Sequence, residues 1–449
     1  MPSPSSARPK SSKSPQDRLL RAHKRLAQTL RDTHYGHHVK EYTKDPTVVE
    51  FAKHVGSNTP FVVRGYAAEW SCISQQSAER WSNEFLTANM GDTEVSVAVT
   101  MDGRADAVVE MPRDETLKDS SYHSNQDIES LEGSSDEHQK TSNGITRNHD
   151  TASPSKQDNT NTTQPRYVFA TPYTSRLPFH TALTHLLTTQ RFLPPPLPPA
   201  SSTALTLKPT PPILYLQAQN DCLRSEFPSL LPHLPSPLHP SWITSVLGSE
   251  PEAINLWIGT RHSVSTLHSD PFENLYVVVR GRKTFWLAPP GEGWFYCKTR
   301  FATAGWVGKD GLSDVKDEGA VPEVPEVELQ LDESATEIPW YPVPHPEFLP
   351  KEVLERYPRL KHRPKAYQVV VKAGDLLYLP RGWLHHVEQE EDEEGLCVAV
   401  NSWFDDVDGG MGREWGWGAF VEGVQRIVGG EEGEDDEEED EEDEEDEVL

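Results

Sequence analysis

The chain has 449 residues, a net charge of −29, an apolar share of 35% and 38 prolines. The apolar share is below the globular average, which indicates a folded core diluted by disordered segments. Residues 431–447 contain sixteen of the acids and leave about −13 for the rest of the chain, so most of the charge belongs to a solvated tail. The core has no basic face, so we expect no nucleic-acid binding by it.

The sequence also lacks the signals of membrane insertion and secretion. No run of about 18 apolar residues is present, so we expect no membrane-spanning helix. The N-terminus has no apolar core of a secretory signal. The four cysteines are scattered without a CxxC pair, which argues against a thiolate zinc site and predicts a reducing compartment, cytoplasmic and/or nuclear.

Helix and strand signals alternate in the first hundred residues. The leucines of residues 16–32 recur near helical spacing and predict an amphipathic helix. A second helix is predicted in "DPTVVEFAKHV", with Asp45 as its cap and Pro46 in its first position. The segments "TPFVVRGY" and "TEVSVAVTMDG" predict strands at 59–66 and 93–103.

Changes in composition divide the chain. Residues 113–164 are polar, with almost no large apolar side chain, and predict a disordered insertion. Residues 299–365 are acidic in part and predict a second insertion or loop. The predicted organisation is a disordered N-terminus at 1–15, helices and strands at 16–112, the insertion at 113–164, a first core part at 165–298, the loop at 299–365, a second core part with a C-terminal helix at 366–428, and a disordered acidic tail at 429–449.

The core segments are short and strand-like. "ILYLQAQ", "AINLWIG", "SVSTLH", "NLYVVVRG", "RKTFWLAPP", "AYQVVVKAGDLLYLPRGWLHHVEQ" and "LCVAVNSWF" are rich in β-branched and aromatic residues between turn signals. Arg280-Gly281 lies where a hairpin turn is needed. Many short strands and few helices predict a mainly β fold, a sandwich or barrel.

A cluster of metal-binding residue types lies among these strands. His268 and Asp270 are two residues apart, so they point to the same face of an extended chain. Polar groups on an inward face need a partner, and a metal ion would serve. His385 and His386 are adjacent on a later strand, where only one of them can face inward. Two histidines and one carboxylate form the facial triad of non-haem Fe(II) oxygenases.

Other polar residues fall near this cluster along the predicted strands. Lys283 lies one turn beyond the His268 strand, where it could reach into the same barrel and pair with a carboxylate. Asn274 and Asn401 lie at strand positions where buried amides need partners. These residues favour a metal site over a surface histidine with a turn-capping aspartate.

Residues 251–290 and 374–404 resemble the JmjC branch of the Fe(II)- and 2-oxoglutarate-dependent oxygenases. The motifs that carry the resemblance are "NLWIG", "TLHSDPFENLYVVVRGRKTF", "IPWYP" and "VKAGDLLYLPRGWLHHVEQ" with "CVAVNSWF". The similarity covers roughly residues 45–112, 166–300 and 338–425. It implies a double-stranded β-helix, which is a cupin-like jelly roll, with flanking N- and C-terminal helices.

The resemblance implies that His268, Asp270 and His385 hold Fe(II). The family's second motif reads His-x-Val, which His385 matches because Val387 follows two residues later. His386 is then expected to be an outward ring or one that only supports the ligands. Seven further residues are implied to bind or line the site of the co-substrates 2-oxoglutarate and O2: Tyr215, Ser265, Asn274, Tyr276, Lys283, Asn401 and Trp403. Lys283 matches the lysine that pairs with the distal carboxylate of 2-oxoglutarate.

The activity implied is hydroxylation of a protein side chain, lysine at carbon, because the resemblance extends to lysyl hydroxylases of this branch. The same chemistry directed at an N-methyl carbon would make a demethylase. A third alternative is a JmjC binding module without activity, against which the intact triad and Lys283 argue. The expected partner is a protein substrate, and a homodimer formed through the terminal helices stays open.

Overall fold

The computed structural model describes residues 15–111, 167–194, 211–248, 250–309, 324–334 and 336–405. Its α-helices are mostly short and lie largely outside the strand-rich core segments. They are α1 Pro15–Leu30, α2 Val48–Gly56, α3 Asn83–Met90, α4 Phe179–Thr188, α5 Cys222–Ser225, α6 Ser241–Leu247 and α7 Lys351–Arg356.

The strands carry most of the described core. They are β1 Lys40–Tyr42, β2 Phe61–Val63, β3 Glu94–Thr100, β4 Arg104–Ala105, β5 Ala107–Glu110, β6 Tyr167–Thr171, β7 Tyr173–Pro178, β8 Ile213–Tyr215, β9 Ala253–Gly259, β10 Val264–His268, β11 Glu273–Arg280, β12 Arg282–Ala288, β13 Thr299–Gly308, β14 Val327–Leu331, β15 Glu337–Trp340, β16 Tyr367–Lys372, β17 Leu376–Leu379, β18 Leu384–Glu390 and β19 Cys397–Phe404.

Two sheets form the core of the fold. One has the strand order β1-β2-β17-β11-β19-β9, and the other has the order β16-β12-β18-β10-β4. Consecutive strands from β9 to β12, and again from β16 to β19, alternate between the two sheets. This alternation makes the double-stranded β-helix of a jelly roll and confirms the predicted fold class.

The apolar core lies between these sheets. The first sheet contributes Tyr276, Val278, Leu377, Leu379 and Ala399, and the second contributes Phe285, Leu287, Val369, Val371 and Val387. The alternation of these residues along each strand sends every second side chain inward, as period-2 patterning predicts. Polar residues that share this inner face are therefore enclosed by the barrel.

Gly281 marks a corner of the barrel, and the hairpin predicted at Arg280-Gly281 is wrong. Strand β11 pairs with β17 and β19, whereas β12 pairs with β16 and β18. The chain therefore crosses from one sheet to the other at Gly281, which has a φ of 68°. A Cβ at this position would lie 2.4 Å from the carbonyl oxygen of Glu390, so glycine is required.

The second helix begins later than predicted. Its cap is Thr47, whose hydroxyl accepts a hydrogen bond from the backbone N–H of Glu50, while the Glu50 carboxylate accepts one from the Thr47 backbone. This reciprocal pair is a capping box. Asp45, predicted as the cap, instead accepts a hydrogen bond from the indole of Trp242 at 3.1 Å.

Residues 299–365 contain regular structure, contrary to the predicted loop. Strand β13 pairs with β14, β15 and β6 in a further sheet whose order is β14-β13-β6-β5. Helix α7 follows before the chain returns to β16. A small fourth sheet has the order β7-β3-β8.

Several predictions concern residues outside the described ranges. They are the disordered N-terminus up to residue 14, the whole insertion at 113–164, the C-terminal helix within 366–428 and the acidic tail. Within the ranges that are described, no helix is both long and apolar enough to cross a bilayer.

Candidate metal and co-substrate site

Strands β10 and β18 bring the three predicted metal ligands together. The two strands are antiparallel neighbours, and His268 pairs directly with His385 in their ladder. Their ring centroids are 4.2 Å apart. Asp270 follows the end of β10, with one oxygen 3.7 Å from Nε2 of His268 and the other 3.5 Å from Nε2 of His385.

The hydrogen bond made by Nδ1 of each histidine determines that the free lone pair lies on Nε2. Nδ1 of His268 donates to the carbonyl oxygen of Thr266 at 2.6 Å, and Nδ1 of His385 donates to that of Trp383 at 2.9 Å. Because a carbonyl oxygen can only accept, each neutral ring keeps its hydrogen on Nδ1. Both Nε2 lone pairs are then free toward Asp270, which is how metal-binding histidines are held.

Protonation in this cluster also suits a metal. Burial lowers the pKa of His268 to about 4, helped by the adjacent His385 ring. Burial alone would raise the pKa of Asp270, but the two imidazoles outweigh it and the pKa falls to about 2. At neutral pH His268 is thus neutral and Asp270 is ionised, the states in which these groups bind a cation.

The size of the cluster fits a single divalent ion. All three ligand atoms lie within 4.8 Å of one another. Two ligands at right angles about 2.1 Å from one ion are roughly 3 Å apart, so small side-chain adjustments would close the site. His268 remains 23% exposed and Asp270 19% exposed, so one side of the cluster is accessible. Two nitrogens, one carboxylate and an accessible side fit a facial triad with open positions.

Lys283 lies deeper in the barrel, inside an aromatic cage. Its Nζ donates to the phenol oxygen of Tyr215 at 2.9 Å. The same atom lies 5.4 to 5.7 Å from the ring centroids of Tyr215, Trp257 and Tyr276. The side chain is 1% exposed and, among the described residues, forms no ion pair with a carboxylate. A buried ammonium without a counter-ion is suited to an anionic ligand.

Three buried polar side chains connect this cage to strand β11. The indole N–H of Trp257 donates to Oδ1 of Asn401 at 2.7 Å. The Nδ2 of Asn401 donates in turn to Oδ1 of Asn274 at 3.1 Å. The structure thus brings together both predicted amides, and it adds Trp257, which sequence reasoning missed.

The remaining predicted residues lie on the same two sheets. Ser265 pairs with Val387 of β18, so it shares the inner face because opposed residues in a ladder point the same way. Trp403 stacks on Phe272 with ring centroids 5.0 Å apart. Trp340 of β15 lies parallel to the His268 ring at 6.4 Å, and it also was not predicted as a site residue. Its strand pairs with β13, which the sequence did not reveal.

His386 lies on the opposite face of β18 from His385. It is 1% exposed and forms a second cluster with His345 and Glu388. Nε2 of His345 is 3.5 Å, and that of His386 3.7 Å, from the same Glu388 oxygen. The predicted outward direction agrees with this position, although the ring is buried by the loop that carries His345.

A family model described as a cupin-like domain matches residues 46–410. The human bifunctional peptidase and (3S)-lysyl hydroxylase JMJD7 is 30% identical over 364 residues, which are 81% of this chain and 82% of the human protein. JmjC domain-containing protein E of Dictyostelium discoideum is 28% identical over 81% of this chain and 83% of its own length. Lysine-specific demethylase JMJ32 of Arabidopsis thaliana is 38% identical over 42% of this chain, and this match covers about half of the plant protein, 52%.

The family match and the jelly-roll topology agree with each other. The matched residues contain every strand of the two core sheets except β1, together with the His268, Asp270 and His385 cluster. The human relative is matched over more than two thirds of its length at 30% identity. The chain belongs to the cupin-like domain family and is a 2-oxoglutarate-dependent oxygenase of its JmjC branch.

Proposed function

We propose that the protein is an Fe(II)- and 2-oxoglutarate-dependent dioxygenase that hydroxylates a protein substrate, at a carbon of a lysine side chain. The observation that carries the proposal is the convergence of two Nε2 lone pairs and one ionised carboxylate at a partly accessible point of the barrel. The lysine preference is supported by the match with the human (3S)-lysyl hydroxylase.

Each residue of the site has a proposed role. His268, Asp270 and His385 would hold Fe(II), and Asp270 would offset one of its two charges. Lys283 and Tyr215 would bind the distal carboxylate of 2-oxoglutarate, because the ammonium has no other anionic partner among the described residues. Bound Fe(II) supplies the chemistry that couples oxidation of 2-oxoglutarate by O2, giving succinate and carbon dioxide, to insertion of one oxygen atom into a substrate C–H bond.

The other residues would shape the enclosure. Asn274 and Asn401 form a buried hydrogen-bonded pair that fixes the inner surface of β11 and β19. Ser265, Tyr276 and Trp403 would line the co-substrate site. Trp340 would form a wall beside His268, where it restricts the approach of solvent and substrate.

A second candidate function is demethylation of N-methyl-lysine. It is favoured by the match with the Arabidopsis demethylase JMJ32, which has the higher identity but spans 42% of the chain. An inactive binding module is disfavoured because all three ligand atoms lie within 4.8 Å of one another and Lys283 is buried in the same barrel. All four cysteines lie buried as free thiols, which supports a reducing cytoplasmic or nuclear compartment.

Two measurements test the proposal. Succinate formation from 2-oxoglutarate, in the presence of iron and O2, separates an oxygenase from an inactive module. Mass spectrometry of lysine-containing peptides, and of the same peptides carrying methyl-lysine, then separates the reactions. Gain of one oxygen atom on lysine is expected, whereas loss of a methyl group from methyl-lysine alone would favour the demethylase. No succinate from wild type or from a Glu388→Gln control would contradict both.

A further inference from the structure

Gln389 is a buried polar residue on the inner face of β18. It lies four residues after His385 and two after Val387, so all three side chains share one face of the strand. In the ladder with β12, Gln389 is directly opposite Lys283. Opposed residues in an antiparallel pair have Cβ atoms about 5 Å apart, so Gln389 is a neighbour of the aromatic cage.

The amide of Gln389 has no hydrogen-bond partner among the described residues. The residue is 3% exposed, and both Nε2 and Oε1 are enclosed and unpartnered. Buried amides in folded proteins are nearly always hydrogen bonded, because losing water without a replacement costs free energy. Among the described residues, an amide without a hydrogen-bond partner thus lies beside an ammonium without a counter-ion, and this pair is suited to an anionic ligand.

Gly259 lets the Gln389 amide pack directly against the backbone of β9. A Cβ at Gly259 would lie 2.5 Å from Nε2 of Gln389, 2.9 Å from Cδ2 of Tyr215 and 3.0 Å from Oγ of Ser263. Glycine on β9 therefore lets the Gln389 amide and the Tyr215 ring approach the same region. Tyr215 accepts a hydrogen bond from Lys283 and keeps its own hydroxyl hydrogen to donate, so the ammonium, the phenol and the Gln389 amide are three neighbouring donors.

We infer that Gln389 binds the distal carboxylate of 2-oxoglutarate, its Nε2–H donating to an oxygen of the carboxylate held by Lys283 and Tyr215. This inference rests on the proposed function and extends it to a further binding residue. An ammonium supplies charge, a phenol supplies one directed donor, and the amide supplies a second. Together they distinguish a dicarboxylate 2-oxo acid from one that ends in a methyl group.

The test compares two 2-oxo acids on two variants. Gln389→Met keeps the length of the side chain and removes the amide, whereas Gln389→Glu places a carboxylate beside the expected anion. Glu388→Gln, on the outer face of the same strand, is the matched control. Binding of 2-oxoglutarate and of 2-oxobutyrate, which lacks the distal carboxylate, is measured by calorimetry with iron and without O2.

We expect Gln389→Met to weaken 2-oxoglutarate binding about 10- to 100-fold, the range for a hydrogen bond to a charged group. The variant should bind 2-oxobutyrate within about twofold of wild type. This acid has no distal carboxylate, so it cannot lose a hydrogen bond from Gln389. Gln389→Glu should be weaker still for 2-oxoglutarate alone, since two carboxylates repel in an enclosed space. The Glu388→Gln control should match wild type for both acids.

Thermal unfolding gives a second readout that does not depend on turnover. Without ligand, Gln389→Met should be at least as stable as wild type, because an unpartnered buried amide is removed. Saturating 2-oxoglutarate should raise the melting temperature of wild type more than that of the variant. A variant that is less stable without ligand and binds both acids equally worse would assign Gln389 a purely structural role and overturn the inference.

The failure of this inference can be told apart from failure of the proposed function. Wild type that binds 2-oxoglutarate, with Gln389→Met binding it equally well, overturns the role of Gln389 and leaves the function intact. Wild type that binds neither acid in the presence of iron overturns both.

Discussion

The two faces of β18 carry two clusters of the same composition. The inner cluster is His268, Asp270 and His385, and the outer cluster is His345, His386 and Glu388. In each, two imidazoles and one carboxylate place their ligand atoms within 4.8 Å of one another. By residue type and spacing alone, both could hold a metal ion.

The clusters differ in the hydrogen bonds made by Nδ1 of their histidines. In the inner cluster both Nδ1 atoms donate to carbonyl oxygens, which leaves the Nε2 lone pairs free. Nδ1 of His345 instead accepts hydrogen bonds from the backbone N–H groups of Glu347 and Phe348, at 3.0 and 3.1 Å. The neutral His345 ring must then carry its hydrogen on Nε2, which lies 3.5 Å from a Glu388 oxygen. For His268, His385 and His345 the backbone therefore decides whether Nε2 offers a metal a lone pair or a hydrogen. Neither nitrogen of His386 has a hydrogen-bond partner among the described residues.

The largest expected effect is loss of the inner cluster. His268→Ala removes one of three ligands, and we expect the variant to lose stoichiometric iron and all succinate formation while remaining folded. Metal content after dialysis and succinate production measure this, with circular dichroism as the folding control. Wild-type iron content and turnover in the variant would show that the inner cluster is not the metal site.

A substitution of Lys283 tests the proposed co-substrate site on the inner face. Lys283→Ala removes a buried charge-assisted contact, which costs roughly 2–5 kcal/mol, or about thirty- to several-thousand-fold in 2-oxoglutarate affinity. Iron binding should be largely kept, because the ligands are untouched. The neighbouring Arg282→Ala, which removes an exposed cation, is the control and should leave affinity unchanged. Equal 2-oxoglutarate affinities for Lys283→Ala and wild type would show that Lys283 does not bind the co-substrate.

The outer cluster should respond to pH through stability. Burial lowers the pKa of His345 to about 4. The unfolded chain therefore binds a proton at this histidine below about pH 6.5, whereas the folded chain binds it only below about pH 4. The free energy of unfolding therefore falls as the pH drops from 6.5 toward 4. His345→Asn keeps an oxygen acceptor for the turn but cannot titrate. Over this pH range the variant should therefore lose about 2–3 kcal/mol less stability than wild type. Denaturation curves at several pH values give the free energy of unfolding. If wild type and variant lose the same amount of stability as the pH falls, the lowered pKa does not belong to His345.

The smallest effect is expected on the metal content of the outer cluster. Glu388→Gln removes the only carboxylate of that cluster but should leave the iron content of the protein and its turnover within about twofold, since His345 offers no lone pair. Elemental analysis of wild type and variant after loading with iron or zinc measures this. A fall from two tightly bound ions per chain to one would show that the outer cluster also binds metal.

Strand periodicity predicted a mainly β sandwich or barrel and placed His268 and Asp270 on one face, whereas the jelly-roll fold was implied by the resemblance to JmjC proteins. Strand alternation places His385 and Val387 on one face of β18 and His386 on the other. The inward direction of His385 therefore follows once this segment is taken as a strand with Val387 in the core. The resemblance to JmjC proteins then selected His385 over His386. The family and the enzyme class are confirmed by the comparisons.

The parts that were missed depend on long-range contacts. His345 lies in a segment predicted as a loop, and its position beside His386 follows from the path of β13 to β15, which has no periodic signal in the sequence. The corner at Gly281 resembles a hairpin in sequence, because glycine is suited to both. That Gln389 lacks a hydrogen-bond partner among the described residues can be seen only when neighbouring side chains are located.

The alternation of consecutive strands between the two sheets has a consequence for the order of folding. His268 and Asp270 precede His385 by more than one hundred residues, and β18 is a central strand between β12 and β10. Early chain segments therefore leave an unfilled gap in the second sheet until β18 enters, which delays closure because distant pairings cost loop entropy first. During synthesis, iron uptake should begin only after β18 has left the ribosome, and it would report completion of the second sheet.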